Sequence, residues 1–122
     1  MPPDPNLCFV YGTLRRGHGN HSVMRQAGGA FLGNAVSVRK FPLVIKGLPY
    51  LLDLPGQGEP VTGEIYRIPE QGWELLDRLE GHPGFYRRRV ESFVLRGPPV
   101  QAWAYFLAQK HLVAELAEVA HG

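Results

Sequence analysis

Cysteine is nearly absent from this chain: Cys8 is the single one in 122 residues. An internal disulfide is therefore excluded, and a reducing compartment such as the cytoplasm is expected. Long apolar runs are missing too. The longest stretches, residues 7–11 and 102–108, fall far short of the ~20 residues a membrane-spanning helix needs. The opening Met1-Pro2-Pro3-Asp4-Pro5 lacks the basic, apolar and small-residue succession of a secretory leader. Charge of one sign is not in excess. Thirteen basic and 11 acidic side chains leave a net charge of +2, which predicts neither a nucleic acid nor a membrane surface as partner.

Several chemistries lose their support in the same way. The five histidines, His18, His21, His82, His111 and His121, show no paired spacing with cysteines or acids, so no metal and no cofactor are implied. His18 and His21 flank a loop and are expected in solvent. Ser22, Ser37 and Ser92 stand in no Gly-x-Ser-x-Gly elbow. Neither a phosphate loop nor a dinucleotide fingerprint is present. Cys8 falls inside an apolar strand, where cysteine behaves as a small hydrophobe rather than a nucleophile.

What is present is 44% hydrophobic residues with 20% charged, and 15 glycines and 11 prolines spread along the chain. That composition describes a soluble fold of short strands joined by tight turns, a single domain over residues 1–122. Residues 7–11 are apolar at every position, as a strand buried on both faces would be. Further strands are expected over 30–39, 43–45, 50–54, 61–68, 86–95 and 100–107, bounded by Gly or Pro. Asn20 is placed to cap a short helix over 21–27. Pro69 opens a second helix over 70–80, stopped by Gly81 and Pro83, and 112–120 forms a third. The fold class is α+β: a small mixed β-barrel of about six or seven short strands with flanking helices, since repeated βαβ units would need more helices.

Two features carry chemistry. On a helical wheel Trp73, Leu75, Leu76 and Leu79 share an apolar arc, with Glu74, Asp77 and Arg78 opposite. Glu80 falls inside that arc, four residues from Leu76 and seven from Trp73. Burial and the negative end of the helix dipole both raise a carboxyl pKa there, which is how a general base is tuned. The second feature is Tyr11-Gly12-Thr13-Leu14, a glycine loop at the exit of an apolar strand, able to bring backbone N–H groups to an anion. The basic runs Arg15-Arg16 and Arg87-Arg88-Arg89 form no single broad patch, because a strand sends neighbours to opposite faces. Pairing with carboxylates or solvation is the expectation for them.

The motifs Tyr11-Gly12-Thr13-Leu14-Arg15-Arg16-Gly17, Leu76-Asp77-Arg78-Leu79-Glu80-Gly81 and Tyr86-Arg87-Arg88 resemble the γ-glutamyl cyclotransferase-like superfamily. The stretches Phe41-Pro42-Leu43-Val44-Ile45, Leu48-Pro49-Tyr50-Leu51-Leu52 and Val61-Thr62-Gly63-Glu64-Ile65-Tyr66 are similar to its γ-glutamylamine cyclotransferase branch. The resemblance implies Glu80 as catalytic base. It also implies a substrate pocket built from Tyr11, Gly12, Thr13, Leu14, Leu48, Pro49, Tyr86 and Tyr105; in the ring-closing reaction Tyr86 or Tyr105 is expected to serve as a hydroxyl donor. The implied partner is a small γ-glutamyl substrate, closing on itself to release 5-oxoproline and an amine. Two rivals belong to other classes. A binding module of the same fold would keep the pocket without turnover. An RNA-binding barrel would use Arg15, Arg16 and Arg87-Arg88-Arg89 and need aromatic stacking residues beside them.

Overall fold

The computed structural model describes residues 6–121, with the backbone alone for His121. The opening Met1-Pro2-Pro3-Asp4-Pro5 lies outside the described residues. Strand β1 (Leu7–Val10) sits between two neighbours. It runs antiparallel to β5 (Glu59–Arg67) and closes the barrel through a parallel bridge, Cys8 to Trp103, with β7 (Val100–Leu107). Around the barrel the order is β1, β5, β2 (Ala30–Phe41), β6 (Tyr86–Val94), β7. Strands β3 (Leu43–Lys46) and β4 (Leu48–Leu51) form a separate two-stranded sheet. The seven strands thus divide into a closed five and a hairpin. The hairpin turn falls at Gly47, so β4 begins at Leu48, two residues before the start expected from apolar content.

The even and odd residues of β1 explain why all four are buried. Leu7 and Phe9 join Ala35, Ile65, Phe93, Ala102, Ala104 and Phe106 in the barrel interior, where the Phe9 and Phe93 rings stack with centroids 4.0 Å apart. Cys8 and Val10 point the other way, into a layer with Met24, Ile68, Trp73, Leu76, Tyr105 and Leu116. This period-two division repeats along β7, where Ala102, Ala104 and Phe106 go inward while Tyr105 and Leu107 meet the helices. The outer layer consists of α1 (His21–Gln26), α2 (Trp73–Glu80, entered through a 3₁₀ turn at Glu70–Gly72) and α3 (Lys110–His121). Among the described residues no helix is long and apolar enough to cross a membrane.

Where β2 leaves β5 its register shifts between Val36 and Lys40. The buried Ser37 hydroxyl repairs the ladder there, accepting the Val61 N–H at 2.8 Å and donating to the Arg39 carbonyl at 2.6 Å.

Asp77 does not lie on an exposed face of α2, as the wheel places it. Its carboxylate takes both Nε and Nη2 of Arg88, at 2.8 and 3.1 Å, and the Tyr105 hydroxyl at 2.6 Å. The wheel sees one helix alone, whereas β6 and β7 cover that side of it. The Arg88 guanidinium is further held over the Trp73 and Trp103 rings, 4.6 and 4.8 Å from their centroids. Burial raises the Asp77 carboxyl pKa, but the bonds from Arg88 and Tyr105 outweigh it and hold the group below its ordinary value. Replacing Asp77 with Ala strands a guanidinium between two indoles. A loss of about 2–4 kcal/mol is expected, read as a lower urea midpoint at unchanged slope.

Candidate active site

At its C-terminus α2 meets a cavity of about 310 Å³. Gly81 ends the helix in the left-handed conformation, φ 66°, and its N–H and that of His82 return to the carbonyls of Arg78 and Asp77. The cap stops the helix with Glu80 as its last residue, at the wall of the cavity. Glu80 is half-buried, and no described residue donates a hydrogen bond to its carboxylate. Desolvation by burial raises its pKa to about 7, from an ordinary value of 4.5. Leu79, expected in the apolar arc with the core, is instead 41% exposed and forms part of the cavity wall.

The loop after β1 supplies Tyr11, Gly12, Thr13 and Leu14 to the same cavity, the hairpin supplies Leu48 and Pro49, and the barrel supplies Tyr86 and Tyr105. All nine residues singled out in the sequence are therefore brought to one place. The cavity also takes in Phe9, Val10, Asn20, Arg78, Gly81 and Phe85, none of which the sequence motifs had marked as site residues. Gly12 is required by a close approach: a Cβ there would lie 3.0 Å from Pro49 Cγ, so a larger residue would push loop and hairpin apart. Among the described residues the N–H groups of Gly12, Thr13 and Leu14 donate to no backbone carbonyl. These N–H groups, on residues that line the cavity, are candidates to hold an anion.

The tyrosine hydroxyls have other duties. Tyr86 donates to the Pro49 carbonyl at 3.1 Å, Tyr11 to the Tyr105 carbonyl, and Tyr105 to Asp77. A role for Tyr86 or Tyr105 as hydroxyl donor to a ligand does not fit these bonds. Their oxygens keep acceptor capacity toward a ligand N–H. His21, expected in solvent, is half-buried and its Nδ1 pairs with the Leu14 carbonyl at 3.0 Å. Arg89 meets Asp53 and Glu91, and Arg16 meets Glu64, so these arginines are carboxylate partners.

Cys8 is fully buried and does not line the cavity. Burial, followed by the field of Glu80, raises its thiol pKa far above the ordinary value. Cys8→Ala is expected to keep kcat within about twofold while lowering stability by about 1 kcal/mol through the lost packing. Activity and urea midpoint, measured on the same preparation, check this; a catalytic thiol would instead abolish turnover.

A glycine loop and a half-buried carboxylate of raised pKa sharing one cavity on a small mixed barrel define a class, and the comparisons agree with it. Residues 8–122 match the family described as gamma-glutamyl cyclotransferase, AIG2-like, and the chain belongs to that family. It is 51% identical over 114 residues to a rat protein named gamma-glutamylaminecyclotransferase, an alignment covering 82% of this chain and 76% of the rat protein. The human protein of the same name is 43% identical over 90 residues, 69% of this chain and 59% of its own length. In structure, the chain is similar to a crystallised mouse AIG2-like protein, with a TM-score of 0.79 at 41% identity, covering 88% of this chain and 82% of that one.

Proposed function

We propose that this chain is a γ-glutamylamine cyclotransferase, an enzyme that converts a γ-glutamyl amine into 5-oxoproline and the free amine. The observation that carries this reading is Glu80, a half-buried carboxylate near its neutral point at pH 7, in a cavity with three uncommitted N–H groups. Relatives of the same name, at about half identity in the rat, support the substrate class.

The chemistry follows from what the substrate already contains. Its α-amine and γ-carbonyl are in one molecule, so a pocket that folds it into the ring-closing shape gains an effective molarity of up to ~10⁵–10⁸ M. The α-ammonium is unreactive until it loses a proton, and ionised Glu80 takes it. The amine nitrogen then bonds to the γ-carbon. Collapse of the tetrahedral intermediate breaks the bond to the departing nitrogen, which receives the first proton from Glu80. The carboxylate so restored takes the second proton from the ring nitrogen and passes it to the released amine, which leaves as an ammonium ion. Backbone N–H groups of Gly12, Thr13 and Leu14 hold the α-carboxylate or the developing oxyanion. No protein nucleophile takes part. A cytoplasmic setting, as the lone cysteine suggests, suits these steps.

The apolar Leu48, Pro49 and Leu79 at the cavity favour a leaving amine without a carboxylate beside the scissile bond. γ-Glutamyl-ε-lysine is therefore expected to give a higher kcat/KM, by about tenfold or more, than γ-glutamyl-alanine or glutathione. Release of 5-oxoproline, followed by mass spectrometry at equal substrate concentrations, tests both statements. Faster turnover of γ-glutamyl-alanine would overturn the leaving-group preference. Binding of every substrate with no product would favour the ligand-binding module.

A further inference from the structure

The start of α1 grips the loop that follows β1. Asn20 makes no side-chain cap bond to its helix, contrary to its expected role. Its Nδ2 instead donates to Thr13 Oγ1 at 2.8 Å, and its backbone N–H donates to the Thr13 carbonyl at 2.9 Å. Both residues line the cavity that holds Glu80.

Four hydroxyl-bearing side chains line that cavity: Tyr11, Thr13, Tyr86 and Tyr105. The three tyrosines give their protons to protein oxygens. Only the Thr13 hydroxyl has no acceptor among the described residues. Its oxygen already accepts from an amide, so its own proton must turn away from Asn20. The glutamyl moiety brings one permanent anion, its α-carboxylate, which has to be kept from the like charge of ionised Glu80. The free N–H groups beside Thr13 make this loop the place where an anion is welcome.

We infer that Asn20 is a positioning residue, holding the Thr13 hydroxyl as a donor to the α-carboxylate of the γ-glutamyl substrate. This rests on the cyclotransferase reading of the cavity. The role belongs to ground-state binding as much as to the transition state, because the α-carboxylate does not change charge during ring closure. Loss of the bond should therefore fall on KM and leave kcat nearly alone.

The test compares γ-glutamyl-ε-lysine with the same compound carrying a carboxamide in place of the α-carboxylate. The proteins are wild type, Asn20→Ala, Asn20→Asp, Thr13→Val and Thr13→Ser, each checked for folding by circular dichroism. With the carboxylate substrate, Asn20→Ala and Thr13→Val should raise KM by about 10- to 100-fold, with kcat within about threefold. Asn20→Asp keeps the shape but accepts the Thr13 proton, so KM should rise at least as far as in Asn20→Ala. Thr13→Ser should restore wild-type KM. With the carboxamide substrate, the neutral group gains less from the donor, and wild type and variants should differ by less than about threefold. Equal KM increases on both substrates, or a wild-type KM in Asn20→Asp, would overturn the inference while leaving the enzyme reading intact. Absence of product from wild type with γ-glutamyl-ε-lysine would overturn the enzyme reading and, with it, this one.

Discussion

Glu80→Gln is expected to lower kcat by about 10²- to 10⁴-fold with little change in KM, since the amide keeps the size of the side chain but cannot take the ammonium proton. The same residue sets the pH profile. With a pKa of about 7, wild-type kcat/KM should rise nearly tenfold per pH unit below 7 and level off above it, as the carboxylate forms. Stability should move oppositely. The folded-state pKa lies above the unfolded value near 4.5, so the contribution of the buried acid is fully present below pH 4.5 and is lost as pH rises through 7. Gln carries no charge to desolvate. Glu80→Gln should therefore match the wild type in thermal midpoint near pH 5 and exceed it at pH 8, while remaining nearly inactive at both. Near wild-type kcat in a folded Glu80→Gln protein would remove Glu80 from the mechanism. A midpoint difference that does not depend on pH would show that Glu80 is not desolvated.

Glu80 was legible in the sequence because it broke a pattern: a carboxylate between Trp73 and Leu76 on an otherwise apolar arc has no structural excuse. Gly12 was legible as a loop, although its reason, the 3.0 Å approach to Pro49, joins residues 37 positions apart and lies beyond any local pattern. Strand β1 was legible as doubly buried, and the structure shows the cause in the alternate assignment of its side chains to barrel interior and helix layer. Asp77 and Leu79 were misplaced for one shared reason. A helical wheel knows only the helix, and on α2 the partners of Asp77 come from β6 and β7, while the cavity opens where Leu79 would have found a core. Asn20 is the opposite case. Its residue type and place satisfied a capping rule, but the bond from Nδ2 to Thr13 Oγ1 turns the amide toward the loop, and Oδ1 accepts no N–H of the helix. Division of the strands into a closed five and a hairpin depended on pairing across the chain, which residue composition does not specify.

Blocking the α-amine should be the most complete lesion available on the substrate side, and it separates intramolecular aminolysis from every hydrolytic alternative. N-Acetylated γ-glutamyl-ε-lysine keeps the γ-amide and the α-carboxylate, but resonance withdraws the nitrogen lone pair that would close the ring. The cavity offers no activated replacement: the Thr13 hydroxyl makes no hydrogen bond to Glu80 or to any other base among the described residues. Cys8 lies outside it with its thiol held protonated by burial, and the tyrosine hydroxyls are committed to protein acceptors. Without a tethered nucleophile the enzyme forfeits the ~10⁵–10⁸ M effective molarity of the unblocked substrate, a larger factor than the loss of Glu80. Turnover should fall below detection, with neither 5-oxoproline nor N-acetylglutamate formed. β-Aspartyl-ε-lysine should be equally inert, because its amine can reach the amide carbon only through a strained four-membered ring. Both compounds are to be incubated beside γ-glutamyl-ε-lysine and the products followed by mass spectrometry. Appearance of N-acetylglutamate would mean that water or a protein group attacks the γ-carbonyl, with Glu80 activating that nucleophile instead of the substrate's own amine.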